Sequence, residues 1–89
     1  MNHELKSWPD LFVQFLAGRK THDLRKADRS FAVGDTLTLR EYDPKVGTYT
    51  GRLAKASITY ITSEGCPCAE YGRGLAPGFV ILSIKQVAS

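Results

Sequence analysis

The chain has 89 residues, a formal net charge of +3, 43% apolar residues and 24% charged residues. That composition is typical of a globular protein and excludes general disorder, and the length leaves room for a single domain over residues 1–89. No apolar run approaches the roughly 20 residues needed to span a bilayer, and residues 1–6 lack the apolar stretch of a secretory signal. The expected location is therefore the cytoplasm, with no membrane partner.

Residues 3–6 are short enough for an edge strand. Ser7-Trp8-Pro9-Asp10 then carries helix-start signals: a capping hydroxyl, a proline in the first turn and an early acid. Leu11, Phe12, Phe15 and Leu16 recur at helical spacing as a buried stripe, and Gly18 caps the end. This predicts one principal helix over 9–17. Residues 21–26 alternate, with His22 and Leu24 on one face and Thr21, Asp23 and Arg25 on the other.

Val33-Gly34-Asp35 is a turn, after which 36–42 form a strand. Leu37, Leu39 and Glu41 face the core there, opposite Thr36, Thr38, Arg40 and Tyr42. Asp43-Pro44-Lys45-Val46-Gly47 has strong turn chemistry and folds the chain back as a hairpin. Residues 54–62 are a β-branched strand with Ala56, Ile58 and Tyr60 on a common face. Residues 63–78 hold four glycines and two prolines and read as a long loop, and 79–84 form an apolar closing strand. Five or six strands with one helix predict a mainly β (α+β) domain built as a small barrel or strongly curved sheet, in which closure protects the strand edges.

Charge is concentrated. In residues 18–29, Arg19, Lys20, Arg25, Lys26 and Arg29 outnumber Asp23 and Asp28 by the whole net charge of the chain. Such a field draws anionic partners, nucleic acid above all; the plain alternative is a solvated basic strand. Cys66 and Cys68 are separated by one residue, which strains a local disulfide, and no paired histidines complete a metal set. Two reduced thiols, no metal and no cofactor are expected.

The run Gly18-Arg19-Lys20-Thr21-His22-Asp23-Leu24-Arg25 resembles the G-x-K-x-x-E-x-R signature of the ASCH superfamily. Trp8-Pro9, Val33-Gly34-Asp35, Leu39-Arg40-Glu41-Tyr42-Asp43, Tyr49-Thr50-Gly51-Arg52 and Gly78-Phe79-Val80-Ile81-Leu82 extend the likeness to a short bacterial and phage branch. The resemblance implies a PUA-like β-barrel with a basic cleft between barrel and helix, and RNA or a modified nucleoside as partner. Some relatives are similar to an amidohydrolase acting on N4-acetylcytidine, and others are ribonucleases. The amidohydrolase uses a lysine, a threonine and a glutamate. Its lysine matches Lys20, its threonine falls near Asp23 rather than Thr21, and no glutamate partner is placed. Asp23 also stands for the usual glutamate, one methylene shorter.

The nucleic-acid contacts expected are Arg19, Lys20, Arg25, Lys26, Arg29, Arg40, Tyr42 and Arg73, the last on the glycine-rich loop. Asp23 would hold Arg25 in place. Trp8, Tyr42, Tyr49 and Tyr71 offer rings for unpaired bases, against the alternative of plain packing. Glu41 lies either at the barrel rim or paired with Lys20 or Arg25 in the cleft. Three functions follow. The first is an RNA-binding module. The second is a hydrolase of a modified nucleoside or RNA using Lys20 and Asp23, with Glu41 or Glu70 as a further acid. The third is an interaction protein for an acidic partner.

Overall fold

The computed structural model describes residues 1–63, 65 and 74–87. In chain order these form β1 (Asn2–Ser7), α1 (Pro9–Leu16), β2 (His22–Lys26), β3 (Thr36–Asp43), β4 (Thr48–Ser63) and β5 (Phe79–Val87). The five strands make one sheet in the order β1-β3-β4-β5-β2. β1 runs parallel to β3 and the other pairings are antiparallel. The sheet curls into a half-barrel with α1 against its inner face. Among the described residues no helix is long and apolar enough to cross a membrane.

Strict alternation builds the inner face. Leu5, Leu37, Leu39, Ala54, Ala56, Ile58, Val80, Leu82 and Ile84 point inward and enclose Phe12 and Phe15 from α1. The helix stripe is narrower than its spacing predicts: only the two phenylalanines are buried, while Leu11 is 49% exposed and Leu16 is exposed as well. A helix of eight residues lying across a concave sheet presents one thin edge to the core, so its flanking leucines face outward. Pro9 opens the helix as expected, but the N-cap is Trp8, without a side-chain cap, because Ser7 is taken up as the last residue of β1.

Two bulges depart from simple alternation. Between Ile58 and Tyr60 the β4–β5 register shifts, leaving Thr59 as the extra residue. The shift turns Tyr60 to solvent and packs Ile61 partly against the core, so Tyr60 does not share the face of Ala56 and Ile58. The second bulge sets Thr50, Gly51 and Arg52 of β4 against Glu41 of β3, with Gly51 at φ +95°.

Glu41, 2% exposed, is held there by Thr50 Oγ1 donating to Oε1 (2.7 Å) and by the Arg52 fork, Nε to Oε1 and Nη2 to Oε2, both 2.8 Å. It pairs with neither Lys20 nor Arg25. The guanidinium of Arg52 also lies over the Phe12 ring at 5.2 Å, tying the bulge to the helix.

Edge strands β1 and β2 share no ladder among the described residues. Arg25 of β2 and Arg29, three residues past its end, reach β1 instead. Arg25 Nη2 donates to the Lys6 carbonyl (2.5 Å) and Arg29 Nη1 to the Glu4 carbonyl (3.3 Å). Residues two apart on a strand point their carbonyls to the same edge, so one arginine per alternate residue replaces missing strand bonds.

Two outcomes test this packing. Phe12→Ala should lower unfolding free energy by about 3–5 kcal/mol in urea melts, whereas Leu11→Ala should cost less than about 1 kcal/mol; equal losses would contradict the assignment of faces. The second concerns acid. Hydrogen bonds from Arg52, then from Thr50, hold the Glu41 carboxyl below its ordinary value of 4.5. The unfolded chain therefore binds that proton more readily. The clamp's contribution is complete above the ordinary value and is lost as pH falls through the lowered one. Glu41→Gln should melt earlier than wild type at about pH 7, with the gap closing in acid; a gap that stays constant with pH would refute the clamp.

Candidate functional site

The end of α1 delivers the first site residue. Gly18 adopts φ +79°, its N–H bonds the Phe15 carbonyl (3.0 Å), and Arg19 N–H bonds the Gln14 carbonyl (3.0 Å). This is the paired closure of a left-handed glycine cap. Lys20 N–H takes the same Gln14 carbonyl at 3.1 Å, so Lys20 leaves the helix in a fixed direction. Its Nζ donates to the His22 carbonyl (2.5 Å) and to Asp23 Oδ1 (3.4 Å).

β2 places the other two. Its register sets Asp23 opposite Leu82 and Arg25 opposite Val80, both core residues of β5, so the polar pair lies on the inner face. Leu24 is turned out and is 54% exposed, while Asp23 is 8% exposed. A buried carboxylate on a strand that exposes its leucine inverts the usual order and requires compensation. Lys20 supplies it at one oxygen, and Arg25 Nε at the other (2.9 Å). Among the described residues no buried side-chain nitrogen or oxygen lacks a partner.

These three side chains line an open cleft of about 320 Å³ between α1 and the sheet. Its apolar walls include Trp8, Leu11, Phe15 and Leu39. Trp8 is 58% exposed and also borders a second groove with Pro9, Asp43 and Pro44. The arrangement combines a flat aromatic surface, apolar walls and a cluster of charged groups. It suits a planar ligand that carries hydrogen-bonding groups on one edge.

The remaining predicted residues scatter. Arg19 Nε donates to Gln14 Oε1 (2.6 Å) on the outside of the helix. Lys26 is exposed, with no ion pair among the described residues. Arg29 bonds Asp28 as well as the Glu4 carbonyl. Arg40 and Tyr42 sit on the outer sheet face, away from the cleft. There Arg40 stacks 3.9 Å over the Tyr49 ring, Lys6 Nζ lies 4.4 Å over Tyr42, and the two tyrosines meet edge to face at 5.2 Å. Arg73, Tyr71, Glu70, Cys66 and Cys68 lie outside the described residues. Among the described residues no group of three or more His, Cys, Asp or Glu is placed to hold a metal ion.

Three contributors escaped the sequence reading. Leu11 lines the cleft rather than the core, the Lys6 backbone anchors Arg25, and Arg52 rather than a cleft cation partners Glu41. Only Arg52 had a visible signal, because a glycine inside a strand marks a bulge that re-aims its neighbours. A separate buried pair, His3 Nε2 with Asp35 Oδ2 (2.8 Å), fastens β1 to the turn before β3. Its hydrogen bond is the main cause holding the Asp35 carboxyl below the usual range.

Comparison with known proteins adds kinship. An uncharacterised 12.9 kDa protein encoded in the GpA 3′ region of Escherichia phage P2 is 42% identical over 60 residues. The match takes in 67% of this chain and 53% of the phage protein, so the chain spans about half the length of this curated relative. A family model matches residues 2–84, which takes in all three cleft residues and both bulges. On that match the chain belongs to the DUF3850 family, a domain of unknown function.

Proposed function

We propose that this chain is an RNA-binding module of the ASCH, PUA-like type, which holds an unpaired base in the cleft beside Trp8 and flanking phosphates along the basic rim. The observation that carries the reading is the convergence of Lys20, Asp23 and Arg25 in the lining of one cleft among apolar neighbours. Charges kept for solubility need neither burial nor mutual hydrogen bonds.

The carboxylate sorts the parts of the ligand. Asp23 at the centre repels a phosphate, while Arg19 at the helix exit and Lys26 on the outward face of β2, both exposed, spread a positive field around the cleft that attracts one. Stacking of a base on an aromatic ring is worth about 1–3 kcal/mol and tolerates any sequence. Trp8 is the most exposed ring along the cleft, so it is the natural platform. The hydrolase alternative also draws on Lys20 and Asp23. Of its two further acids, Glu41 is committed to Arg52 and does not line the cleft, and Glu70 lies outside the described residues.

Trp8 is the single tryptophan of the chain, so its fluorescence reports the cleft directly. Single-stranded RNA should quench it, with the log–log salt slope growing by about 0.7 per phosphate contacted. Lys26→Ala should remove about one such increment, and Lys20→Ala should weaken binding to every sequence. Absence of quenching, or binding that both variants leave untouched, would refute the cleft as the RNA site. Turnover of an acylated cytidine that Lys20→Ala abolishes, with no RNA binding, would put the hydrolase in its place.

A further inference from the structure

We infer that the cleft selects uracil over cytosine and adenine by reading the imide edge of the base with Lys20, Asp23 and Arg25, an inference that rests on the RNA reading above.

Lys20 Nζ has three donors. One goes to the His22 carbonyl and one to Asp23 Oδ1, which leaves a third. Arg25 has five. Nε goes to Asp23 Oδ2 and one Nη2 hydrogen to the Lys6 carbonyl, which leaves the second Nη2 hydrogen and both on Nη1 without a partner among the described residues. Each Asp23 oxygen accepts one bond from these cations and keeps a second lone pair. The two cations take opposite oxygens of the carboxylate. The free capacity therefore runs donor, acceptor, acceptor, donor, with both central acceptors on one negatively charged carboxylate.

One complement is an edge that reads acceptor, donor, acceptor. Uracil has it: O2, N3–H and O4. Guanine presents O6 and N1–H in the same way and its amino group to the second Asp23 oxygen, so it shares the fit. Cytosine offers donor, acceptor, acceptor, which brings the bare N3 lone pair against the Asp23 carboxylate. Adenine brings its bare N1 to the same position. A mismatched edge sets a lone pair against the carboxylate, which forfeits a hydrogen bond and adds repulsion.

The test compares oligoribonucleotides of about six residues, made of uridine, cytidine, adenosine or N3-methyluridine, by Trp8 quenching at one fixed salt concentration. Oligouridylate should bind tighter than the cytidine and adenosine oligomers by on the order of tenfold. Methylation of N3, which deletes the central donor without touching the protein, should erase the preference. Asp23→Asn should bring uridine and N3-methyluridine oligomers to the same affinity. Equal affinity across the four oligomers, or a uridine preference that survives N3 methylation, would overturn the uracil inference and leave the RNA reading standing. Failure of every oligomer to bind would overturn both.

Discussion

A carboxylate sits on the inner face of an edge strand, where an apolar side chain would be cheaper, and much of the structure is arranged to keep it there. Asp23 faces inward because β2 pairs with β5 in the register that sets it against Leu82. Two cations then have to meet it. Lys20 is aimed by the glycine cap of α1, and Arg25 reaches back from two residues along the strand. Arg25 in turn fastens the Lys6 carbonyl of β1, so the same guanidinium closes the seam that the ladder leaves open. Helix exit, one edge strand and the opposite edge strand are thereby joined through one acid.

The second buried carboxylate shows what a purely structural version of this chemistry looks like. Glu41 is gripped by both prongs of Arg52 and by Thr50, it lies in a bulge, and it does not line the cleft. Its capacity is largely spent on the fold. Asp23 and its cations retain unspent donors and acceptors and border open, apolar-walled space. That difference in remaining capacity, rather than charge itself, separates a candidate site from a scaffold.

Local chemistry made much of this legible from the sequence. Proline and glycine bracketed the helix, the turn at 43–47 folded β3 back on β4, and period-two patterning marked the inner face of β3. The Asp23–Arg25 pair was visible because strand alternation puts residues two apart on one face, and Lys20 because it stands in the same basic run. What stayed hidden depends on contacts distant in the chain. The outward turn of Leu11 and Leu16 comes from how a short helix meets a curved sheet. The reversal at Tyr60 comes from a single inserted residue, Thr59. Arg40 and Tyr42 have the right chemistry for nucleic acid, but alternation puts them on the other side of the sheet from the cleft, with Lys6 and Tyr49.

That last separation allows the most direct check of the account, which holds that ligand enters the cleft rather than lying across the outer sheet face. Side-chain and backbone NMR resonances followed during a titration with short single-stranded RNA distinguish the two. The account predicts that the Trp8 indole, the Lys20 ammonium and the Arg25 guanidinium shift together at one binding stoichiometry, while Tyr49 and Arg40 stay in place. Shifts confined to Arg40, Tyr42 and Tyr49, with Trp8 and Arg25 unmoved, would contradict it.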